Sequence, residues 1–397
     1  MSSEYKVRLE PLPAMGDLAA RWRELETRSR CSFFLSWHWI ASWLACICDP
    51  AAARLITVRR GQRVVGMGIL TTRRRMRFGP RYLYLHEVGD RQLDDLTIEY
   101  NGLLTEPGLE ADCLLALVRH LRRHETWALL HLPGVEAEQV PLERLASGGL
   151  DIRTRNSSAP YVDLAALRAQ DTGYLQSLSA NNRSAVRRTQ RKLEHALGPV
   201  ALQVAEDAQQ RRAYFDAMAD LHQSHWARDG VQAGAFADPR ILAFHRHLLA
   251  QPGAAECTEL IQLSAGAQPL GYAYNFVWRD VVYFYQMGVD YAAAARHGSP
   301  GLLLLAQAVE RAEAAGRTYF EFMAGDSRYK RALSNASRDM LWVSVDRVGW
   351  VSRTRRAWQG VRQLAGGRKA MGIIALPVLH DGACAAMALW SSANITL

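Results

Sequence analysis

The sequence predicts an α+β chain in which one arrangement of strands and helices occurs twice, followed by a basic amphipathic tail. Three observations carry this expectation. Helix and strand periodicities come in the same order in the two halves, and a stretch rich in Pro, Gly, Ser and Asn at 133–161 separates them. Residues 348–397 hold six basic side chains against one acidic. The domains expected are therefore 1–150, 151–347 and the tail 348–397. The halves share no appreciable residue identity, so the repetition is one of pattern.

In the first half, apolar residues at helical spacing mark helices over 17–28 and 37–48. β-Branched runs follow at 54–60 and 64–72, joined across Gly61-Gln62, and again at 82–88. A helix over 110–123 and a strand over 127–132 close the unit. After the 133–161 linker comes a strongly basic helix at about 180–196. The second half then reads as helices over 206–226 and 239–250, and strands over 259–263, 270–278 and 281–289 with Arg279-Asp280 as the tight turn. A helix over 300–315 and strands over 318–323 and 341–347 complete it.

With 397 residues the chain is long enough for two or three cores. About half the residues are apolar and 22% charged, which excludes a disordered tail protein and a collagen-like rod. The 48 basic side chains outnumber 39 acidic ones, and only four are lysines, so the excess charge is arginine, the residue that forks onto phosphate and carboxylate. Six cysteines without a CxxC pair argue against a zinc ribbon or a disulfide framework, and no metal is implied. The opening MSSEYKVRLEPLP has no apolar core after a basic start, so export is not expected. The apolar stretch 370–390 is broken by His380-Asp381 and reads as a buried or membrane-skimming element, because a spanning helix there would carry a charge near its centre.

The signatures of P-loop, Rossmann, zinc-protease, serine-hydrolase and kinase chemistry are missing. What remains is the turn Arg296-His297-Gly298-Ser299-Pro300-Gly301 at the head of the 300–315 helix. Ser299 suits the N-cap, Pro300 the first helical position, and Gly298 and Gly301 permit close approach of a ligand to the backbone. Exposed amides and the positive helix end make this an anion site able to take a pyrophosphate, with Arg296 beside it; an ordinary capped helix is the alternative.

The order of hairpin, glycine-bearing turn, helix and strand resembles the GNAT acyltransferase superfamily. More narrowly, residues 22–347 resemble the CelD/BcsL-like subgroup, related to the FemAB ligases. The matching pieces are SFFLSWHWIASW (32–43), IEYNGLL (98–104), NNRSAVRRTQRKLE (181–194), LHQSHW (221–226), HGSPGLLLL (297–305) and FEFMAGDSRYKRAL (320–333). The turn departs from the usual GNAT spacing, and the first half has LTEPGL before its helix, without a glycine-bearing turn of this kind. The resemblance thus implies two tandem GNAT-like domains, the first degenerate and on the acceptor side, the second holding the donor.

It further implies transfer of an acyl group from acyl-CoA, or an acyl carrier protein, to an amine by direct attack, with no tightly bound cofactor. A neutral amine nucleophile requires a base within reach. Glu321, Asp326 and His222 are the candidates, a structural hydrogen bond being the alternative for His222. Backbone amides near Met287-Gly288 could stabilise the oxyanion, and Tyr329, with Tyr285 second, could protonate the leaving thiolate. Lys330 is a candidate contact to donor phosphates, against an exposed helix charge. Asp94, Glu99 and Asn101 form a polar patch for the acceptor or a satisfied turn, and Trp226 shares a helical face with His222. Cys257 reads as an inert thiol.

Arg183, Arg187 and Arg191 recur every four residues as a cationic stripe, read as a phosphate clamp, a nucleic-acid contact or a solvated face. The lack of interleaved aromatics argues against nucleic acid. Trp350 and Trp358 with four arginines give the tail the pattern of a helix lying on an anionic membrane surface; packing against the protein is the alternative. The activity expected is an N-acyltransferase in the cytoplasm, at the inner face of the membrane, acting on a long-chain amino alcohol or an envelope-glycan precursor. The rivals are a FemAB-like aminoacyl-tRNA-dependent transferase and a non-catalytic scaffold in polysaccharide biosynthesis.

Overall fold

The computed structural model describes residues 5–74, 79–94, 96, 98–228, 235–294 and 298–347. The expected amphipathic tail at 348–397 lies outside them. In chain order the principal elements are β1 (Tyr5–Pro11), α1 (Met15–Glu26), α2 (Trp37–Cys46), β2 (Ala53–Arg60), β3 (Arg63–Arg74), β4 (Arg81–Leu85), β5 (Leu104–Thr105), α3 (Glu110–His124) and β6 (Leu129–Glu136). There follow β7 (Leu150–Asp163), α4 (Ala180–Leu197), β8 (Val200–Val204), α5 (Ala208–Arg228), α6 (Pro239–Ala250), β9 (Thr258–Ala265), β10 (Gln268–Trp278) and β11 (Val281–Val289). Helix α7 (Pro300–Ala314), β12 (Tyr319–Glu321), α8 (Arg328–Leu333) and β13 (Ala336–Arg347) complete the chain.

The described residues form two compact units, one holding 5–31, 48–156 and 341–347, the other 32–47 and 157–340. In the first, β1, β2, β3 and β4 succeed one another antiparallel, and β6 lies parallel to β4. In the second, β8, β9, β10 and β11 do the same, and β12 lies parallel to β11. Each parallel pair is joined by a crossover with a helix, α3 in the first unit and α7 in the second. The repeated order read from the sequence is therefore a repeated topology.

Local chemistry explains most of these elements. The two-residue turns fall where expected, with Gly61 at φ 63° between β2 and β3, and Arg279 at φ 55° opening the Arg279-Asp280 turn between β10 and β11. Helix α2 is capped by the Ser36 hydroxyl, which accepts from the Trp39 amide at 3.3 Å. Trp37, Trp39, Ile40, Trp43 and Leu44 are all buried, the mark of a helix covered on every side. Although α2 precedes β2 in sequence, it belongs to the second unit, where Phe33 just before it stacks on Phe276 of β10 with ring centroids 4.3 Å apart.

The expected linker at 133–161 is instead the end of β6 and most of β7. Its Pro, Gly and Asn read as loop punctuation, yet Gly134 is there for close approach: a Cβ at this position would meet the Ile98 carbonyl at 2.6 Å. Strand β7 alternates weakly, and its half-buried polar side chains hide its period. Strands β1 and β8, short and half-exposed, were likewise not expected. The strands expected over 82–88 and 318–323 end early, because His86 and Met323 take left-handed φ values of 56° and 63°.

Candidate active site

In the second unit, β11 and β12 pair only through Val281↔Tyr319, Val282↔Phe320 and Tyr283↔Glu321. Beyond Tyr283 the chain after β12 turns to β7, the Phe322 amide donating to Pro160 O at 3.0 Å and the Gly325 amide to Ser158 O at 2.9 Å. Among the described residues no strand pairs with that edge of β11 after Tyr283. The pairing with β10 shifts register between Tyr274 and Asn275, so Tyr285 is an extra residue, a β-bulge that turns the local backbone. The result is an open wedge between two parallel strands, with backbone amides along one wall.

The first unit has the same three-residue pairing, Tyr82↔Leu129 to Tyr84↔His131, but its wedge is filled. Segment 98–102 runs into it: Asn101 forms an isolated parallel bridge with Val135, and its amide donates to Gly134 O at 2.9 Å. The Asn101 side chain donates to Leu85 O at 3.1 Å and lies 2.8 Å from His86 Nδ1. Since His86 Nε2 accepts from the Ile69 amide at 2.9 Å, its Nδ1 is the donor. Of the polar patch expected to greet an acceptor, Asn101 and the fully buried Glu99 thus belong to a plug. Asp94, nearby in sequence, accepts from the Val88 amide at 2.8 Å, and burial pushes its carboxyl up to about 7.

The helix heads differ as well. The first turn of α3 carries Glu110 and Asp112, which would repel an anion, whereas the first turn of α7 carries no acid. The α7 turn is nonetheless more enclosed than the sequence suggests. The Ser299 amide donates to Thr189 Oγ1 of α4 at 3.4 Å, and a Cβ on Gly298, which sits at φ 113°, would meet that oxygen at 2.5 Å. A Cβ on Gly301 would stand only at ordinary contact distance from Val289, Met287 and Tyr291. The α7 donors left for an anion are the amides of Gly301 and Leu302, which have no intrahelical acceptor. Arg296 and the side chain of Trp226 lie outside the described residues.

Glu321 is buried on an internal strand between β11 and β7, and its carboxylate accepts from Arg338 Nη2 at 2.6 Å. That guanidinium lies over the Tyr161 ring, 4.4 Å from its centroid. Removing the carboxylate strands a half-buried cation, so Glu321→Ala should cost about 2–3 kcal/mol and Glu321→Gln about 1 kcal/mol. Urea unfolding measures both, and equal losses would mean that the charge is idle.

Asp326 is exposed and ion-paired to Arg331 at 2.5 Å, a poor setting for a base. Tyr329 is buried and held well above its usual range by desolvation, so it stays protonated. Lys330, neither exposed nor on a helix surface, is buried, and its Nζ donates to Met323 O at 3.1 Å and Ala324 O at 2.7 Å. Two of its three protons thereby fix the loop that forms the β12 wall of the wedge. Arg183 Nη1 is likewise committed, to Gln176 O and Leu178 O at 2.9 and 3.0 Å, while Arg187, Arg188 and Arg191 remain exposed on α4.

His222 is buried on α5, edge-on to Phe236 with ring centroids 5.3 Å apart, and burial pushes its imidazole down to about 4. Helix α5 lies hard against β11: a Cβ on Gly288 would stand 2.2 Å from Met218 O. Cys257 is buried and its thiol pushed up to about 12 by burial, so no thiolate nucleophile forms there. Sequence reasoning missed the plug. No local pattern signals it, because it depends on segments far apart in the chain.

Fold and site together define two α+β units of one topology, one wedge open and one filled. Residues 180–331, which lie in the second unit, match the family model described as an acetyltransferase (GNAT) domain. No curated protein matches the sequence. Among solved structures, the fold is similar to FemX, with a TM-score of 0.54 and 11% identity over 84% of this chain and 96% of that one. It is also similar to a conserved protein of unknown function from Bacteroides thetaiotaomicron VPI-5482, with a TM-score of 0.52 and 9% identity over 86% and 100% of the two chains. A third likeness is to the DUF2156 C-terminal domain of a protein assigned as a lysylphosphatidylglycerol synthetase from Agrobacterium fabrum, at a TM-score of 0.50 and 10% identity over 90% and 99%. At these identities the likeness is one of fold.

Proposed function

We propose that the chain is an N-acyltransferase that moves an acyl group from acyl-CoA, or an acyl carrier protein, to an amine on a lipid-like or envelope-glycan precursor. The observation that carries this reading is the wedge between β11 and β12, open in the second unit and filled by 98–102 in the first. A thioester laid along the β11 wall would meet unpaired backbone donors at its carbonyl, and its phosphates would reach the head of α7. The amine nitrogen attacks the carbonyl carbon, the C–N bond forms, and the C–S bond breaks. One amine proton is lost, and the thiolate leaves as a thiol.

In this reading Tyr329, kept protonated, can supply the thiolate's proton, and the neutral imidazole of His222 can receive the amine's. Glu321 and Lys330 hold the β12 wall, the first through Arg338 and the second through the 323–324 carbonyls. One fold neighbour carries the name of a lysylphosphatidylglycerol synthetase, which fits a lipid-like acceptor. Among the described residues no helix is long and apolar enough to cross a membrane. A cytoplasmic place and peripheral membrane contact through the basic residues of 348–397 are part of this proposal. The exposed arginines of α4 favour a second reading, a donor carried on charged tRNA. Native mass spectrometry of the chain incubated with acetyl-, octanoyl- and palmitoyl-CoA, or with aminoacyl-tRNA, separates the two: a retained CoA species is expected, and retention of tRNA alone would overturn it.

A further inference from the structure

Beneath β10, on the face of the sheet away from α7, lies a cluster of buried polar atoms that nothing in the mechanism above uses. His245 of α6 is fully buried, and neither ring nitrogen has a hydrogen-bond partner among the described residues. The same holds for the hydroxyl of Tyr274, also fully buried, and for Nε1 of Trp39. The three rings are neighbours, with the His245 centroid 5.5 Å from that of Tyr274 and 6.5 Å from that of Trp39. Gln286, directly opposite Tyr274 in the β10–β11 register and so on the same face, adds a buried and unpartnered Oε1.

Each such atom left without a partner costs about 1–3 kcal/mol. Several in one place, walled by Phe215, Phe236, Phe244 and Phe276, are a recognition surface rather than a scatter of defects. Its place is telling. Tyr285, the bulge residue of β11, has its ring centroid 5.1 Å from that of His245 and 5.8 Å from that of Tyr274, so the cluster adjoins the strand along which the thioester is proposed to lie.

We infer that His245, Tyr274 and Trp39 form the binding site for the acceptor's head group and hold it as a neutral primary amine. The inference rests on the N-acyltransferase reading above. The amine's two N–H groups and one lone pair match what the cluster offers: imidazole and phenol as acceptors, indole and phenol as donors. Aromatic walls suit an amine on an apolar chain, and they disfavour its ammonium form for the same reason that they keep His245 uncharged, since burial pushes that imidazole down to about 3. Desolvation would then keep the amine free of its extra proton, and its lone pair becomes the nucleophile once it leaves the indole or phenol donor. Of the groups facing the cluster, Cys257 and Tyr285 bear on Tyr274, and His222 stands behind Phe236; all are neutral-acid or low-pKa groups, not carboxylates that would draw in a cation.

The test is titration of the full chain with dodecylamine at pH 8, read by tryptophan fluorescence, alongside calorimetric titration with acetyl-CoA. Tyr274→Phe removes one oxygen and leaves the ring in place. It should weaken amine binding about tenfold, as His245→Phe should, with acetyl-CoA binding unchanged and thermal stability of Tyr274→Phe equal to or above the parent. Amine binding that is absent in the parent, or unmoved in both variants, would overturn the inference. Loss of acetyl-CoA binding in the parent would instead strike the N-acyltransferase reading, so the two failures are distinguishable.

Discussion

Gly288→Ala should be among the most damaging single substitutions in the chain. The new Cβ would stand 2.2 Å from the Met218 carbonyl oxygen and 3.0 Å from Leu221 Cβ, and the first of these is backbone, which cannot rotate away. Helix α5 must therefore lift from β11, taking His222 with it and shifting the wall of the wedge. Overpacking of this kind costs about 3 kcal/mol, and a displacement of about 1 Å at a reacting centre lowers turnover on the order of 100-fold. Thermal unfolding and thiol-release kinetics measure the two effects. A variant with the parent's melting temperature would show that α5 does not press on this strand.

Acid should destabilise the second unit steeply. His222 and His245 are held neutral by burial at about 4 and 3, against an ordinary imidazole value of 6.5. Between pH 6.5 and 4 the unfolded chain binds these two protons and the folded unit does not, so stability is complete above 6.5 and falls as pH drops. Two such groups give a slope of at most about 2.7 kcal/mol per pH unit. In the first unit His86, pushed down to about 4, adds to the loss, while Asp94, pushed up to about 7, opposes it because its folded form holds a proton that the unfolded form has released. Urea midpoints followed from pH 7 to 4.5 by tryptophan fluorescence report the slope. His245→Phe should remove about half of the second unit's share, and a midpoint flat across this range would contradict the burial of both imidazoles.

How far the sequence could be read follows from where each signal resides. The β9–β10–β11 meander, its Arg279-Asp280 turn and helix α7 announce themselves by period and turn chemistry over a dozen residues, and the structure has them where expected. Lys330 shows the limit. A rare lysine after a strand looks like a phosphate ligand, but its partners are the carbonyls of Met323 and Ala324, whose backbone turn no propensity scale reveals. Asn101 was legible as a polar residue beside a tight glycine; that it fills the first unit's wedge depends on β4 and β6 parting beside it, a fact of topology rather than of pattern. His245 gave no signal at all, because a histidine on an amphipathic helix looks alike whether its nitrogens are satisfied or orphaned.

The filled wedge also gives a physical reason for the asymmetry between two units of one topology. Segment 98–102 supplies the first unit's β4–β6 gap with backbone and side-chain partners, at the place where the second unit leaves the edge of β11 unpaired. Duplication of the fold thus need not mean duplication of the site.

Thioester chemistry at the wedge of the second unit is what the proposed function requires. Thiol release by the full chain, supplied with acyl-CoA or acyl carrier protein and a long-chain primary amine, measures it directly. One thiol freed per amide formed, saturable in both substrates, is the predicted result; a chain that binds neither thioester and frees no thiol with any amine acceptor would contradict it.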